Sequence, residues 1–137
     1  GIEVSNNEGE NQLRFNIKAR IQDDSGDGVN SVKIFCFDWT ILLGGYNHNV
    51  QFIYHDSLIL DGLDPRQRAT LLEIAHNKSQ KHNLQYIINA NQDALESTKI
   101  YLGDNYANIV ENNVVIELTD ESIQSKLLGV QVELDDE

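Results

Sequence analysis

The sequence predicts an α/β fold, chiefly because a strand–helix–strand unit occupies the middle of the chain. Short apolar runs at Val50–Tyr54 and Leu84–Ile88 are each the length of a single buried strand. Between them, Asp64 suits the capping position of a helix and Pro65 suits its first position, and the helix should continue to about His82. Strands joined by such a crossover pair in parallel, with a right-handed connection.

The second half of the chain predicts further elements and a core face. We expect the central helix to pack on the sheet through four residues: Ala69, Leu72, Ile74 and Ala75. Another helix is expected over Asn91–Leu102. Two closing strands are expected at Asn113–Leu118 and Leu127–Leu134, joined by a polar turn around residues 120–122. Residues 135–137 then form an acidic tail.

Three segments precede the strand–helix–strand unit. Gly1–Asn11 is polar and acidic with little pattern, and we expect a loose lead-in. Apolar and polar residues alternate over Leu13–Gln22, which predicts a half-buried strand with one wet face. In Val32–Leu43, β-branched and aromatic residues favour a strand, whereas the length favours a helix capped by Asn30 or Ser31. The residues alone leave that choice open.

Size and charge limit the class of protein. At 137 residues, the chain is a single domain spanning residues 1–137. Its net charge of −12 argues against this segment following a phosphate backbone by itself. With one cysteine and no apolar run of the roughly 18 residues that span a membrane, we expect a cytoplasmic protein with no membrane contact. The sequence contains no methionine, so we expect a piece of a longer polypeptide.

The candidate chemistry centres on Asp56, at the end of the first strand of the unit. That strand would carry the carboxylate to the carboxyl edge of a parallel sheet, and Asp61 and Asp64 follow before the helix. This is the layout of a Walker B strand, whose Asp holds Mg²⁺ directly or through water. An Asp that merely begins a turn is the alternative interpretation. No P-loop sequence is present, so the chain by itself cannot cradle a triphosphate.

Three other groups of residues give weaker evidence of a functional site. The four histidines show no spacing typical of a metal site, and we interpret them as structural or surface residues: His48, His55, His76 and His82. Phe37–Thr40 is similar to the start of an aspartyl-phosphate hydrolase loop, but Thr40 stands where a second Asp is needed. Ser57 lacks the glycines of a nucleophile elbow. The two hydrolase interpretations, an aspartyl-phosphate loop and a nucleophile elbow at Ser57, are therefore rejected.

A set of motifs resembles a known family: Lys33–Asp38 (KIFCFD), His55–Ser57 (HDS), Asp61–Gln67 (DGLDPRQ) and Gln85–Ile88 (QYII). In this order the chain resembles the C-terminal half of an ABC-type ATPase head, as in SMC- and RecN-like proteins. It is more closely similar to the bacterial family catalogued as domain of unknown function 2326, over about Leu13–Val132. Members look like long ATPases with an N-terminal P-loop, a central coiled coil and this segment at the C-terminus.

The resemblance implies a fold and a set of site residues. The fold would be the C-terminal lobe of an ABC-type head, with a mostly parallel sheet, flanking helices and a closing β-hairpin. In this fold Val32–Leu43 is a helix. The signature loop, which reaches a γ-phosphate held by the opposite protomer, would comprise Ser25, Gly26, Asp27 and Gly28. Asp56 would be the Walker B carboxylate, Gly62–Asp64 the D-loop at the dimer seam, and Asn89–Asn91 the place of the switch histidine.

Three departures from the ABC pattern bear on catalysis. Ser57 stands where the general-base Glu follows the Walker B Asp, and an Asn replaces the switch His. The D-loop Asp also lies one residue further from Asp56 than usual. A serine cannot polarise water as a carboxylate does, so hydrolysis would be slow or would use another carboxylate, for which Asp61 is the candidate.

The implied function is ATP-dependent dimerisation of an SMC/RecN-like head in DNA maintenance or in defence against foreign DNA. ATP and Mg²⁺ would bind only in the full-length protein, with the N-terminal P-loop half as partner and a homodimer formed through ATP. DNA would be contacted by other parts of that protein. Two alternatives stay open: a non-catalytic interaction module with a degenerate ATPase lobe, and a metal-dependent nuclease using Asp56, although the usual Glu-x-Lys element is absent.

Overall fold

A computed structural model describes residues 2–6, 15–20, 26–119, 121–126 and 129. Within these ranges the fold is mixed α/β, with one antiparallel and one parallel pair of strands. The α/β class is therefore confirmed. The expected dominance of parallel pairing is not seen in the described residues, where each kind of sheet contributes one pair.

The N-terminal strands β1 (Ile2–Asn6) and β2 (Phe15–Ala19) form the antiparallel pair, with Val4 opposite Ile17. The expected strand within Leu13–Gln22 is confirmed as β2. The expected loose lead-in is wrong for β1, which forms the second strand of this ladder. The expectation that one face of this strand is buried is also wrong, because the side chains of Val4, Phe15 and Ile17 are all more than half exposed.

The first helix, α1 (Asp27–Gly44), settles the choice that the residues left open. It begins one turn earlier than expected, with Gly26 in the capping position, so Asn30 and Ser31 lie inside the helix and cap nothing. It ends where Gly45 adopts a left-handed conformation, at φ 63°. Its buried residues recur every three or four positions, as packing of one helix face requires: Ser31, Phe35, Trp39 and Leu42.

The strand–helix–strand unit is confirmed as β3 (Phe52–His55), α2 (Pro65–His82) and β4 (Gln85–Ile88), with the two strands parallel. Asp64 caps α2 as expected: its carboxylate accepts from the Gln67 backbone N–H at 2.8 Å, and the Gln67 side chain accepts from the Asp64 N–H. Both helices contribute to one core with the inner face of the strands, through Phe35, Trp39, Leu42, Ile53, Leu71 and Ala75.

The packing of α2 differs from the expected set of four residues. Ala75 joins the core beneath the sheet as expected. Ala69 and Leu72 are buried too, but they pack against helices later in the chain. Ile74 is 42% exposed, and Leu71 takes the core position that it was expected to fill. The error arises because α2 is buried on two sides, so its apolar residues do not all face the sheet.

After β4 the chain forms short helices: α3 (Gln92–Glu96), α4 (Lys99–Leu102) and α5 (Tyr106–Ile109). The single helix expected over Asn91–Leu102 is therefore wrong. It is interrupted at Thr98, which is fully buried and donates its hydroxyl to the Leu95 carbonyl at 2.6 Å. Of the helices in the described ranges, none is both long and apolar enough to cross a membrane.

The expected closing hairpin is not formed in the part that the structure describes. Residues 114–119 have no ladder partner, and Val115 is almost completely exposed. The turn around residues 120–122 is partly described, and Ser122 caps a short 3₁₀ helix over Ile123–Ser125. Most of Leu127–Leu134 and the acidic tail at 135–137 lie outside the described residues.

Candidate functional site

Asp56 and Asn89 meet at the carboxyl edge of the parallel strands, as the sequence predicts. His55 is opposite Ile88 in the ladder, so the next residue of each strand emerges at the same edge. The Asn89 backbone N–H donates to the His55 carbonyl at 3.4 Å, and its side-chain Nδ2 donates to Asp56 Oδ2 at 3.2 Å. The register of the two strands therefore brings these two site residues together.

The Asp56 carboxylate is exposed and held in a defined orientation. Its Oδ1 accepts from the Leu58 backbone N–H at 3.1 Å and from the Ser57 hydroxyl at 3.2 Å. Asp56 thereby caps a single 3₁₀ turn over Ser57–Ile59, which is the turn-starting role considered as the alternative. Capping does not exhaust the group, because among the described residues Oδ2 accepts only from Asn89 and keeps a lone pair that can face solvent. Such a group suits a hydrated Mg²⁺, which keeps several of its waters.

Tyr54 also belongs to this edge, although the sequence did not single it out. Its hydroxyl donates to Asn89 Oδ1 at 2.6 Å, while Asn89 Nδ2 donates to Asp56. These two bonds identify which end of the Asn89 amide is the oxygen and which is the nitrogen, and they link Tyr54 to Asp56. Tyr54 was missed because a tyrosine within an apolar strand run signals packing, and its partner lies 35 residues away.

The start of α1 packs closely on the turn that follows β3. A side chain at Gly28 would place its Cβ 2.5 Å from the Gly62 carbonyl oxygen, so only glycine allows this approach. Gly62 itself adopts a left-handed conformation, at φ 74°. The Ser31 hydroxyl is 3.5 Å from the carbonyl oxygen of Asp61. Residues expected in the signature loop and the D-loop are therefore neighbours, while Ser25 lies outside the described residues.

The remaining predicted residues lie at helix starts. Gly26 and Asp27 begin α1, and Asn91 occupies the capping position of α3 without a side-chain capping bond. The Asp64 carboxylate is used to cap α2. Among the described residues, the hydrogen-bond partners of the Asp56 carboxylate include neither Asp64 nor Asn91. The structure thus unites part of the predicted set and leaves the rest on neighbouring turns.

A buried hydrogen-bond chain lies directly behind this edge. His55 Nε2 is 2.9 Å from Asp38 Oδ2, and His55 Nδ1 is 3.0 Å from the Tyr86 hydroxyl. The imidazole is only 7% exposed and contacts the rings of Phe35 and Tyr86. Burial, and then the charge of Asp38, raise the pKa of Tyr86, so its hydroxyl keeps its proton. The sequence could not reveal this chain, because its members come from three separate elements.

Two further observations limit the chemistry. Across the described ranges, no group of three or more His, Cys, Asp or Glu side chains could hold a metal ion. An open depression at the opposite, amino end of β3 and β4 contains no titratable side chain and is lined by Gln51, Phe52, Asn83, Leu84 and Gln85. The Asp56 edge is thus the better candidate site, and other ligands would have to complete it.

Comparison with known proteins identifies the family but no characterised relative. No curated protein and no solved structure is significantly similar to the chain. One protein family, described as an uncharacterised protein conserved in bacteria (DUF2326), matches residues 1–132. This match covers nearly the whole chain and agrees with the resemblance carried by the sequence motifs. The chain therefore belongs to the DUF2326 family.

Proposed function

We propose that this chain is the C-terminal lobe of an SMC/RecN-like, ABC-type ATPase head. The observation that supports it most is the meeting of Asp56 and Asn89 at the carboxyl edge of parallel strands, the edge at which α/β folds bind ligands. In this proposal Asp56 holds Mg²⁺ through water, and the Gly26–Gly28 turn meets a nucleotide bound by the opposite protomer. Asn89 orients the Asp56 carboxylate.

The exposed face of the parallel strands supports the proposal that a P-loop half packs against this chain. Parallel sheets are normally covered on both faces, yet α1 and α2 cover only one face of β3 and β4. The other face exposes three apolar side chains: Phe52, Tyr54 and Ile87. A P-loop half from the same polypeptide would cover this face and supply the phosphate cradle. ATP and Mg²⁺ then bind in the assembled head, which dimerises through ATP.

The contacts of Ser57 bear on turnover. Its hydroxyl donates to Asp56, so its proton is engaged and it offers no carboxylate to activate water. Asp61 is exposed on the following turn and is the remaining acidic candidate nearby in sequence. We therefore propose a head whose ATP hydrolysis is slow and whose main output is nucleotide-dependent association. DNA maintenance or defence is the proposed setting, with DNA contacts made outside this acidic segment.

A non-catalytic interaction module is the second candidate. Its supporting observations are Ser57 in the place of the base and exposed apolar side chains in three groups: Val4, Phe15 and Ile17; Phe52, Tyr54 and Ile87; and Val114, Val115, Ile116 and Leu118. A metal-dependent nuclease is the weakest candidate. Such a site needs several clustered ligands, and the described residues contain no such cluster around Asp56.

Substitution of Asp56 tests the proposal in a protein that carries both halves. Asp56→Asn should abolish Mg-ATP-dependent dimerisation, because it removes the charge that opposes the metal. Dimerisation is measured by light scattering with and without Mg-ATP, together with hydrolysis. Asp104→Asn is the matched control, since Asp104 is also an exposed Asp but lies on a distant 3₁₀ turn.

The outcomes separate the candidates. Dimerisation lost in Asp56→Asn and retained in Asp104→Asn supports the ATPase head. A wild-type protein that neither binds nor responds to Mg-ATP supports the interaction module. Cleavage of DNA that is lost with Asp56 supports the nuclease. In the chain alone, calorimetric titration with Mg-ATP should show no micromolar binding, because the P-loop is absent from these residues.

A further inference from the structure

The buried chain of Asp38, His55 and Tyr86 connects three elements of the fold. Asp38 is on α1, His55 is the last residue of β3, and Tyr86 lies on β4. The two bonds of the imidazole, at 2.9 and 3.0 Å, therefore fasten a helix and a neighbouring strand to the same residue. The Asp38 side chain is 38% exposed and the imidazole is buried, so one end of the chain reaches solvent.

The contacts of His55 indicate which group donates in each of its two hydrogen bonds. The Tyr86 hydroxyl keeps its proton and can donate it to His55 Nδ1. His55 Nε2–H can then donate to the Asp38 carboxylate, which satisfies every group in the chain. The geometry thus favours a proton on His55 Nε2, which donates to Asp38.

This histidine is placed to position other groups and not to react. It is buried and both of its ring nitrogens are engaged, so no ligand reaches them. Its backbone, however, directly precedes Asp56. Its partner Asp38 lies 11 residues along α1 from Asp27, a distance of roughly 16 Å along the helix axis. A rigid helix therefore transmits the position of Asp38 to the Gly28–Gly62 contact.

Apolar packing alone leaves the position of α1 along the sheet weakly defined. Its core residues Phe35, Trp39 and Leu42 contribute burial, which is non-directional, so a small slide changes the buried area little. A hydrogen bond requires both a distance and an angle. The bond between Asp38 and His55 therefore adds a constraint on the position of α1 that burial by itself does not supply. Buried polar groups can specify register in this way.

We propose that His55 is a positioning residue whose bond to Asp38 sets α1 against β3 and thereby fixes the Gly28–Gly62 contact relative to Asp56. The Tyr86 hydroxyl occupies the other ring nitrogen of His55 and is not required for the bond to Asp38. The effect of this device on nucleotide binding rests on the proposed function. The positional claim itself does not.

Two substitutions of His55 separate its two bonds. In His55→Gln, the amide nitrogen takes the place of Nε2 and can still donate to Asp38. In His55→Asn, the shorter side chain reaches only the place of Nδ1, so the bond to α1 is lost. Amide NMR of this chain then measures Gly28 and Gly62. Both signals should keep their wild-type positions in His55→Gln and shift or broaden in His55→Asn.

Further variants guard against loss of folding. Asp38→Ala alters a partly exposed residue and should disturb Gly28 and Gly62 as His55→Asn does, without filling or emptying the core. Tyr86→Phe keeps the ring and should leave both signals in place. Nitrogen shifts of the wild-type imidazole should show a protonated Nε2.

Several results would overturn the proposal. They are unchanged Gly28 and Gly62 signals in Asp38→Ala, equal disturbance in the Gln and Asn variants of His55, or an Nε2 that carries no proton. In the protein with its P-loop half, His55→Asn should weaken Mg-ATP-dependent association about tenfold or more, and His55→Gln should not. If the wild type shows no such association, the proposed function fails while the NMR experiment still decides the role of His55.

Discussion

At the residue scale, Asn89 joins the two strands to the candidate carboxylate through three hydrogen bonds. Its backbone N–H bonds the His55 carbonyl, its Nδ2 donates to Asp56, and its Oδ1 accepts from Tyr54. In ABC-type heads a histidine is expected at this place, and it would face the nucleotide. Here the amide nitrogen bonds Asp56 and the amide oxygen bonds Tyr54, which makes Asn89 an orienting group for Asp56.

Replacing that amide by a carboxylate gives the first prediction. Asn89→Asp puts a second negative charge next to Asp56, and the pair should bind Mn²⁺ roughly tenfold more tightly than the wild-type chain. Electron paramagnetic resonance of free Mn²⁺ measures the affinity. Asn91→Asp is the control, because it adds the same charge two residues further on. Equal gains in the two variants would mean that the Asp56–Asn89 contact is not formed in solution.

At the scale of elements, the contact between α1 and the turn after β3 is the feature that sequence patterns did not predict. Each partner was expected to belong to a nucleotide site, one by resemblance to a signature loop and the other to a D-loop. Their mutual contact depends on Gly28 and Gly62, whose backbones approach too closely for any side chain. A glycine in a sequence indicates conformational freedom but not which segment will approach it.

Adding a side chain at this contact should destabilise the fold. Gly28→Ser forces a Cβ against the Gly62 carbonyl oxygen and should lower the free energy of unfolding by about 1–3 kcal/mol. Gly26→Ser is the matched control, since no non-adjacent atom of the described residues lies within 4 Å of its Cβ and serine is a favoured capping residue. Urea denaturation compares the two. A Gly28→Ser chain as stable as the control would show that α1 starts elsewhere.

At the scale of the whole molecule, the described residues bury two apolar clusters, one on each side of α2, and leave other apolar side chains exposed. The outer face of β3 and β4 exposes Phe52 on one strand and Ile87 on the other. Ile53, which follows Phe52 in β3, is buried on the inner face. Alternation along the strands accounts for the pattern, because successive side chains point to opposite faces. In the proposed function, this face is the one that the P-loop half would cover.

The two faces should respond differently to polar substitution. Phe52→Ser combined with Ile87→Ser should change the free energy of unfolding by no more than about 1 kcal/mol per site and should reduce binding of a hydrophobic dye. Ile53→Ser, on the buried face, should cost roughly 2–5 kcal/mol. Thermodynamic stability and dye fluorescence are measured on all three chains. If the double variant lost as much free energy of unfolding as Ile53→Ser, the outer face would already be covered.

Local signals made much of this fold predictable. The cap at Asp64, the proline that follows it and two apolar runs were enough to predict β3, α2 and β4, because caps and periodicity act within a few residues. The same unit predicted that Asp56 and Asn89 would share an edge. Segments that lack caps and whose burial depends on distant partners were predicted less well. The closing strand at Asn113–Leu118 is an example, since a strand requires a neighbour to pair with.

The sequence by itself determined the α/β class, the parallel unit and the carboxylate at its edge, all of which follow from patterns along one segment. Only the tertiary structure decided that α1 is fastened through Asp38 to His55, that Tyr86 completes this chain, and that Leu71 is buried where Ile74 was expected. These facts depend on which surfaces meet, and meeting surfaces are chosen by packing between elements that are far apart in the chain.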